Sequence, residues 1–290
     1  LKKQIYEDLK TDHAIQDILN FSECLQDSFT DMREFFIDDE KKSLGNNVWS
    51  VHSLISLGPP NFILPFIIKI KKFSLSDDDL YNFCSEAEII QLRHLIIGSG
   101  ANLSKRFSEV FKLFTDDNCS VEPFFERINY LKSVAPWWDG YWNNDKLNNN
   151  IRHKIGEDVI KYILWKYENH LIDASKTGTN RVKFKDFIFY KQIEHIAPQT
   201  ENMEENSCYD KYDQDFVDNY LYCLGNCLII PRQHNIQISN GIFSRKFVTY
   251  VTTFQEREIR KFLEVPDKWG KKEIDKRFEN IKNFLLNILS

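Results

Sequence analysis

Residues 193–199 read Ile-Glu-His-Ile-Ala-Pro-Gln, and residues 224–235 read Leu-Gly-Asn-Cys-Leu-Ile-Ile-Pro-Arg-Gln-His-Asn. These two stretches decide how the chain is read. A carboxylate stands directly before a histidine, one asparagine follows at 226, and a second comes nine residues later at 235. Hydrolysis of a phosphodiester asks for those residue types. A histidine takes a proton from water, a polar spacer braces it, and oxygen ligands hold a hard metal ion.

The residues around the two stretches predict strands. Val182, Phe184, Phe187, Ile188, Phe189 and Tyr190 are β-branched or aromatic, so an extended segment is expected to run into Ile193–Ile196. Leu228–Ile230 is expected to be a second short strand, stopped by Pro231. Neighbours on a strand face opposite sides, so Glu194 and His195 can serve one site only if a bulge or turn falls between them. Pro198 marks the strand's end. A helix-forming stretch follows Pro231, breaks at Asn240-Gly241, and continues to about Leu263. Lys271–Leu289 then reads as an amphipathic helix, with Ile274, Phe278, Ile281, Phe284, Leu285 and Ile288 on one side.

Upstream the apolar spacing is helical. It predicts helices over residues 3–37, 48–57, 62–72, 78–97, 102–114, 122–133 and 155–172, with breaks at Asn46-Asn47 and Gly58-Pro59-Pro60. Ser76 before Asp77, Asp78 and Asp79 reads as an N-terminal cap with acidic residues in the first turn. Gly98-Ser99-Gly100 has no third glycine and no following lysine, so it reads as a helix-ending turn rather than a phosphate cradle. The aromatic run Pro136–Trp142 either anchors a loop on the helical core or stacks on bases; anchoring is the expectation.

Composition narrows the classes. The chain has 290 residues, 42% of them hydrophobic and 14% aromatic, which is ample for a core. Its net charge of −5 argues against a strongly DNA-coating protein, although a local basic face can coexist with an acidic total. The chain begins at Leu1 with charged and polar residues and shows no signal peptide. The apolar run Phe62–Ile68 is too short to span a bilayer. A cytoplasmic protein without a membrane partner is expected, as a fragment of a longer one. The six cysteines are scattered with no C-x-x-C pair, so no zinc is expected, and Cys223 and Cys227 read as buried free thiols.

Ile193–Gln199, Leu224–Ile230, Asn235, Ser239-Asn240, Phe243 and Lys246 together resemble the C-terminal, HNH-type (His-Me finger) domain of GmrSD-type restriction endonucleases. The resemblance covers about residues 150–287, through Val159–Leu171 upstream and Trp269, Ile274 and Arg277 downstream. It implies a mainly α protein: a helical domain over 1–180, then a ββα-metal nuclease domain over 181–290 that includes the C-terminal helix. It also implies a DNA endonuclease that cleaves or nicks with Mg²⁺ or Mn²⁺, in defence against phage DNA that is often modified. The family's N-terminal, nucleotide-dependent domain would be its missing partner.

Carried over by position, His195 would be the general base and Glu194 a metal ligand. Asn226 would brace the loop and orient the base, and Asn235 would be the second metal ligand. Asn240 would add a ligand, with Lys246 and Arg245 as phosphate contacts. His234, beside Asn235, is a less favoured candidate for a substitute ligand. The acidic insertion Glu201–Asp218 is unlike a DNA-facing loop. Two rival readings remain: a nuclease fold that only binds or regulates, which the complete polar set opposes, and an RNA-cleaving toxin, which is usually small and basic.

Overall fold

Asn102 accepts a hydrogen bond from Lys105 N and so starts a helix, and Ser76 and Asp79 exchange side-chain and backbone bonds to start another. Such local signals set the bounds of most elements in this computed structural model, which describes residues 14–41, 49–115, 119–152, 155–204, 207–264 and 268–290. The helical reading of residues 3–13 and the break at Asn46-Asn47 lie outside the described residues.

The chain is mainly helical, and its contacts divide it into two units. The first takes in residues up to Ala87 together with Asn102–Arg127; the second takes in Glu88–Ala101 and Ile128–Ser290. Residues 128–180, read from sequence as part of the helical region, therefore cluster with the strands.

In the first unit are α1 (Ala14–Lys41), α2 (Trp49–Leu57), α3 (Leu64–Lys72) and α5 (Leu103–Leu113), with the first half of α4 (Asp77–Ile97) and the start of α6 (Glu122–Ser133). Its core is aromatic. Phe124 packs on Phe83, Phe107 and Phe66 with ring centroids 4.4, 4.9 and 5.2 Å apart. Burying each such ring contributes about 1.5–3 kcal/mol. Helix α2 stops at Gly58, whose φ of 83° only glycine adopts without strain, and α4 stops likewise at Gly98 with φ 64°.

The second unit is built on α8 (Glu157–Ser175), which follows the short α7 (Asn144–Asn150). Tyr162, Ile163, Leu164, Trp165 and Tyr167 of α8 are buried. Arg93 is buried too, and its guanidinium donates to the carbonyls of Leu289 and Trp142 and to Asn144 Oδ1. The aromatic run divides. Trp142 is buried, and its indole donates to His94, whereas Trp137 and Trp138 lie exposed. The anchoring reading thus holds for Trp142.

Residues 184–188, expected to be extended, form a single helical turn, α9 (Phe184–Ile188). Phe187 is buried on it, and Tyr190 at φ 52° breaks the backbone before the strand begins. Strand β1 (Lys191–His195) then pairs antiparallel with β2 (Cys227–Pro231). The register steps one for one, with Glu194 opposite Leu228 and His195 opposite Cys227, so the expected bulge is not there. Helix α10 (Gln214–Asn219) lies in the connection between the strands.

After β2 come α11 (Arg232–Ile238), α12 (Phe243–Phe247), α13 (Phe254–Glu258) and α14 (Lys271–Ile288). The α13 N-terminus carries a capping box of Thr253 and Glu256, and Glu168 of α8 accepts from Phe254 N and Gln255 N. A carboxylate there answers the free N–H groups and the positive end of the helix. Cys223 and Cys227 are buried free thiols. No helix among the described residues is long and apolar enough to cross a membrane.

Candidate active site

The pocket starts from the turn before β2. Gly225 lies against α14 so closely that a Cβ there would collide with Ile274 O and press on Phe278. Arg277, fully buried on the same helix, donates to the carbonyls of Gly225 and Cys227 at 2.9 and 2.7 Å. The turn Leu224–Asn226 is thereby fixed, and Asn226 with it.

Asn226 is completely buried and uses its amide in full. Its Oδ1 accepts from Ala197 N at 2.8 Å and from Trp269 Nε1 at 3.1 Å, and its Nδ2 donates to the Ala197 and Leu221 carbonyls at 2.9 Å each. Two of these contacts fall on Ala197, in the loop after His195, and the others tie it to Leu221 and Trp269. It holds the backbone just after His195 in place, and among the described contacts none joins it to the imidazole.

Glu194 is also buried. Its carboxylate faces Lys246 of α12, with Nζ 2.5 Å from Oε1, and Tyr250 donates to the same oxygen at 3.1 Å. Burial pushes the Glu194 carboxyl above its ordinary value, and the Lys246 charge pulls it back. Burial pushes Lys246 down, and Glu194 opposes that shift. Burial and the Glu194 charge keep the Tyr250 phenol protonated, a standing donor. Lys246 is wholly buried, so it is not placed as a phosphate contact.

His195 is half-buried at the end of β1, with its ring edge-on to Tyr222 at 5.6 Å. Burial lowers its pKa to about 4, the Lys246 charge adds to the fall, and Glu157 opposes it. The imidazole is neutral at pH 7 and can accept a proton.

Glu194, His195 and Asn235 line one cavity of about 220 Å³, together with Ile193, Pro198, Gln199, Ile236, Ser239 and Asn240. The three reach it without a bulge because α11 packs along β1, and Asn235 Nδ2 donates to Ile193 O at 3.4 Å. At the end of α11 Ser239 turns with φ 38°, which brings Asn240 to the rim. His234 turns away to Thr249 Oγ1, and Arg245 is exposed outside the lining.

The acidic insertion ties both rims. Tyr212 donates to Pro198 O at 2.6 Å, Asn202 to Asn240 O at 2.6 Å, and Tyr209 to Gly241 O at 2.9 Å. Among the described residues no three His, Cys, Asp or Glu side chains gather as a metal cluster. The donor set is instead one carboxylate, one imidazole and asparagine oxygens. Such a set fits Mg²⁺, which keeps several waters and takes one or two carboxylates plus substrate phosphate. Sequence reasoning missed the Lys246 and Tyr250 partners of Glu194 and the hold of Arg277 on the turn. A carboxylate read as buried would have called for a cation, but no spacing signal named which one.

No match to a curated protein or to a solved structure was found. The family model of the GmrSD restriction endonucleases, C-terminal domain, matches residues 141–284, which hold every residue of the pocket. Over that segment, just under half its length, the chain matches the family of GmrSD restriction endonuclease C-terminal domains.

Proposed function

We propose that Glu194, His195 and Asn235 are the hydrolytic centre of a magnesium-dependent DNA endonuclease with a ββα-metal core formed by β1, β2 and α11. The observation that carries this reading is the convergence of a neutral imidazole, a carboxylate and an asparagine on one polar pocket. His195 accepts a proton from water, the water oxygen forms a bond to phosphorus, and the P–O bond opposite breaks. Glu194 and Asn235 would hold a Mg²⁺ ion, whose charge offsets that developing on the phosphate and leaving oxygen. Asn226 holds the backbone that carries His195, and Lys246 holds Glu194. Asn240 borders the same space as a further oxygen donor, and Arg245 stands on the surface as a candidate phosphate contact.

The substrate is DNA, and the setting is restriction of invading phage DNA in the cytoplasm, with selectivity for modified DNA left to a further nucleotide-dependent domain. The full polar set favours this reading over an inactive binding module, and the net charge of −5 disfavours a basic RNA-cleaving toxin. Plasmid incubated with residues 1–290 tests it. Nicked or linear DNA is expected with Mg²⁺ or Mn²⁺ and none with EDTA. His195→Ala is expected to lose roughly 10²–10⁴-fold in rate. Equal cleavage by wild type and His195→Ala overturns the assignment.

A further inference from the structure

His195 is a wall shared by two cavities. Behind the polar pocket a second space of about 420 Å³ opens, and Ile193, His195 and Gln199 border both. Its lining is largely polar, with the buried Ile155 and Ile160 as apolar wall. Tyr222 lines one side, with its ring edge-on to the imidazole. The rim carries the amide of Gln192 and the carboxylate of Glu157, in the first turn of α8.

These features select among parts of a nucleic acid. The volume lies within the roughly 300–1,000 Å³ of small-molecule sites. The isoleucine wall and the aromatic side suit a flat ring, because bases stack on aromatic side chains whatever their sequence. Glu157, paired with Lys161 at 2.7 Å, offers hydrogen-bond acceptors that suit an exocyclic amine, while Gln192 can both donate and accept. These groups suit a neutral base on this side of His195, and the polar pocket takes the phosphate. Continuity through His195 sets the two within one nucleotide of each other.

We propose that this second cavity receives a single unpaired nucleobase adjoining the phosphate that is cut. The proposal rests on the nuclease reading above. A base paired within a duplex cannot enter a recess of this kind, so the enzyme acts where a base is already unpaired or can leave the stack at low cost.

The test uses residues 1–290 in EDTA, so that binding is read without cleavage. The probes are two duplexes carrying 2-aminopurine, one with it fully paired and one with it in a single-nucleotide bulge. The wild type is expected to bind the bulged probe on the order of tenfold more tightly and to change its fluorescence. Gln192→Trp, which fills the mouth from an exposed position, and Tyr222→Ala should each bring the ratio close to one. Equal binding of both probes by the wild type, no binding of either, or a preference that survives both substitutions overturns the proposal. Mg²⁺-dependent cleavage of both duplexes without preference would keep the nuclease and remove the base site. Bulge-selective binding lost in Gln192→Trp but without cleavage would do the reverse.

Discussion

Lys246 Nζ meets the Glu194 carboxylate and donates as well to the carbonyl oxygens of His195 and Ile196, at 3.1 and 3.2 Å. An ammonium has three N–H groups, and all three are spent on successive residues of one strand end. The contacts of the carboxylate with Lys246 and Tyr250 both fall on Oε1. A cation would therefore approach by the other oxygen, without expelling the lysine.

The pair should be strongly coupled. Removing one partner of a buried ion pair leaves an uncompensated charge and costs about 3–5 kcal/mol. Lys246→Met and Glu194→Gln are each expected to destabilise the fold in urea unfolding, and the double variant should lose clearly less than the two added together. Additive losses would show that the two side chains do not depend on each other.

His195 should resist protonation. Its folded pKa of about 4 lies below the unfolded value near 6.5, so between those pH values the unfolded chain binds the proton and the folded one does not. Stability should therefore fall as pH drops from about 6.5 toward 4. His195→Gln should lack that part of the slope. Imidazole NMR of the metal-free protein reads the titration directly, and a midpoint near 6.5 would contradict the burial described above.

Asn235 stands apart from the core, half-buried on α11 with one long bond to Ile193 O. Asn235→Ala should leave the melting temperature within a few degrees, since surface changes stay within about 0.5 kcal/mol. The Mg²⁺ concentration for half-maximal cleavage should rise. An unchanged Mg²⁺ dependence would remove Asn235 from the ligand set.

Gly225→Ala tests the turn. The added methyl group collides with backbone of α14, which a flexible side chain cannot relieve. A loss of about 1–3 kcal/mol is expected from overpacking. Cleavage should fall beyond what the lost stability explains, because Asn226 moves with the turn. Full activity at a temperature where the variant is folded would argue against that link.

Much of this was legible in the residues. Ser76 capped α4, the bounds of α6 and α14 followed their apolar spacing, and Glu194, His195 and Asn235 do share a pocket. Local chemistry sufficed there, because caps and periodicity act within a few residues. What escaped was long-range or compact. Phe184–Ile188 has strand-like residues yet makes one helical turn, because burial of Phe187 outweighs local preference. Lys246 carried a phosphate role in sequence, but only the fold shows that it is buried against a residue 52 positions earlier. Both faces of β1 reach one space because α11 lies along it, a fact of packing that alternation alone could not express.

The seat of Gly225 on Ile274 has a practical side. The C-terminal helix is the mould against which the turn before β2 is cast, and Arg277 keeps it there. A protein shortened to end before Lys271 would retain every residue that lines the pocket and still fail to assemble it. Tags, fusions and cleavage points are therefore safer beyond Ser290 than anywhere along the last helix, although nothing on that helix touches the chemistry.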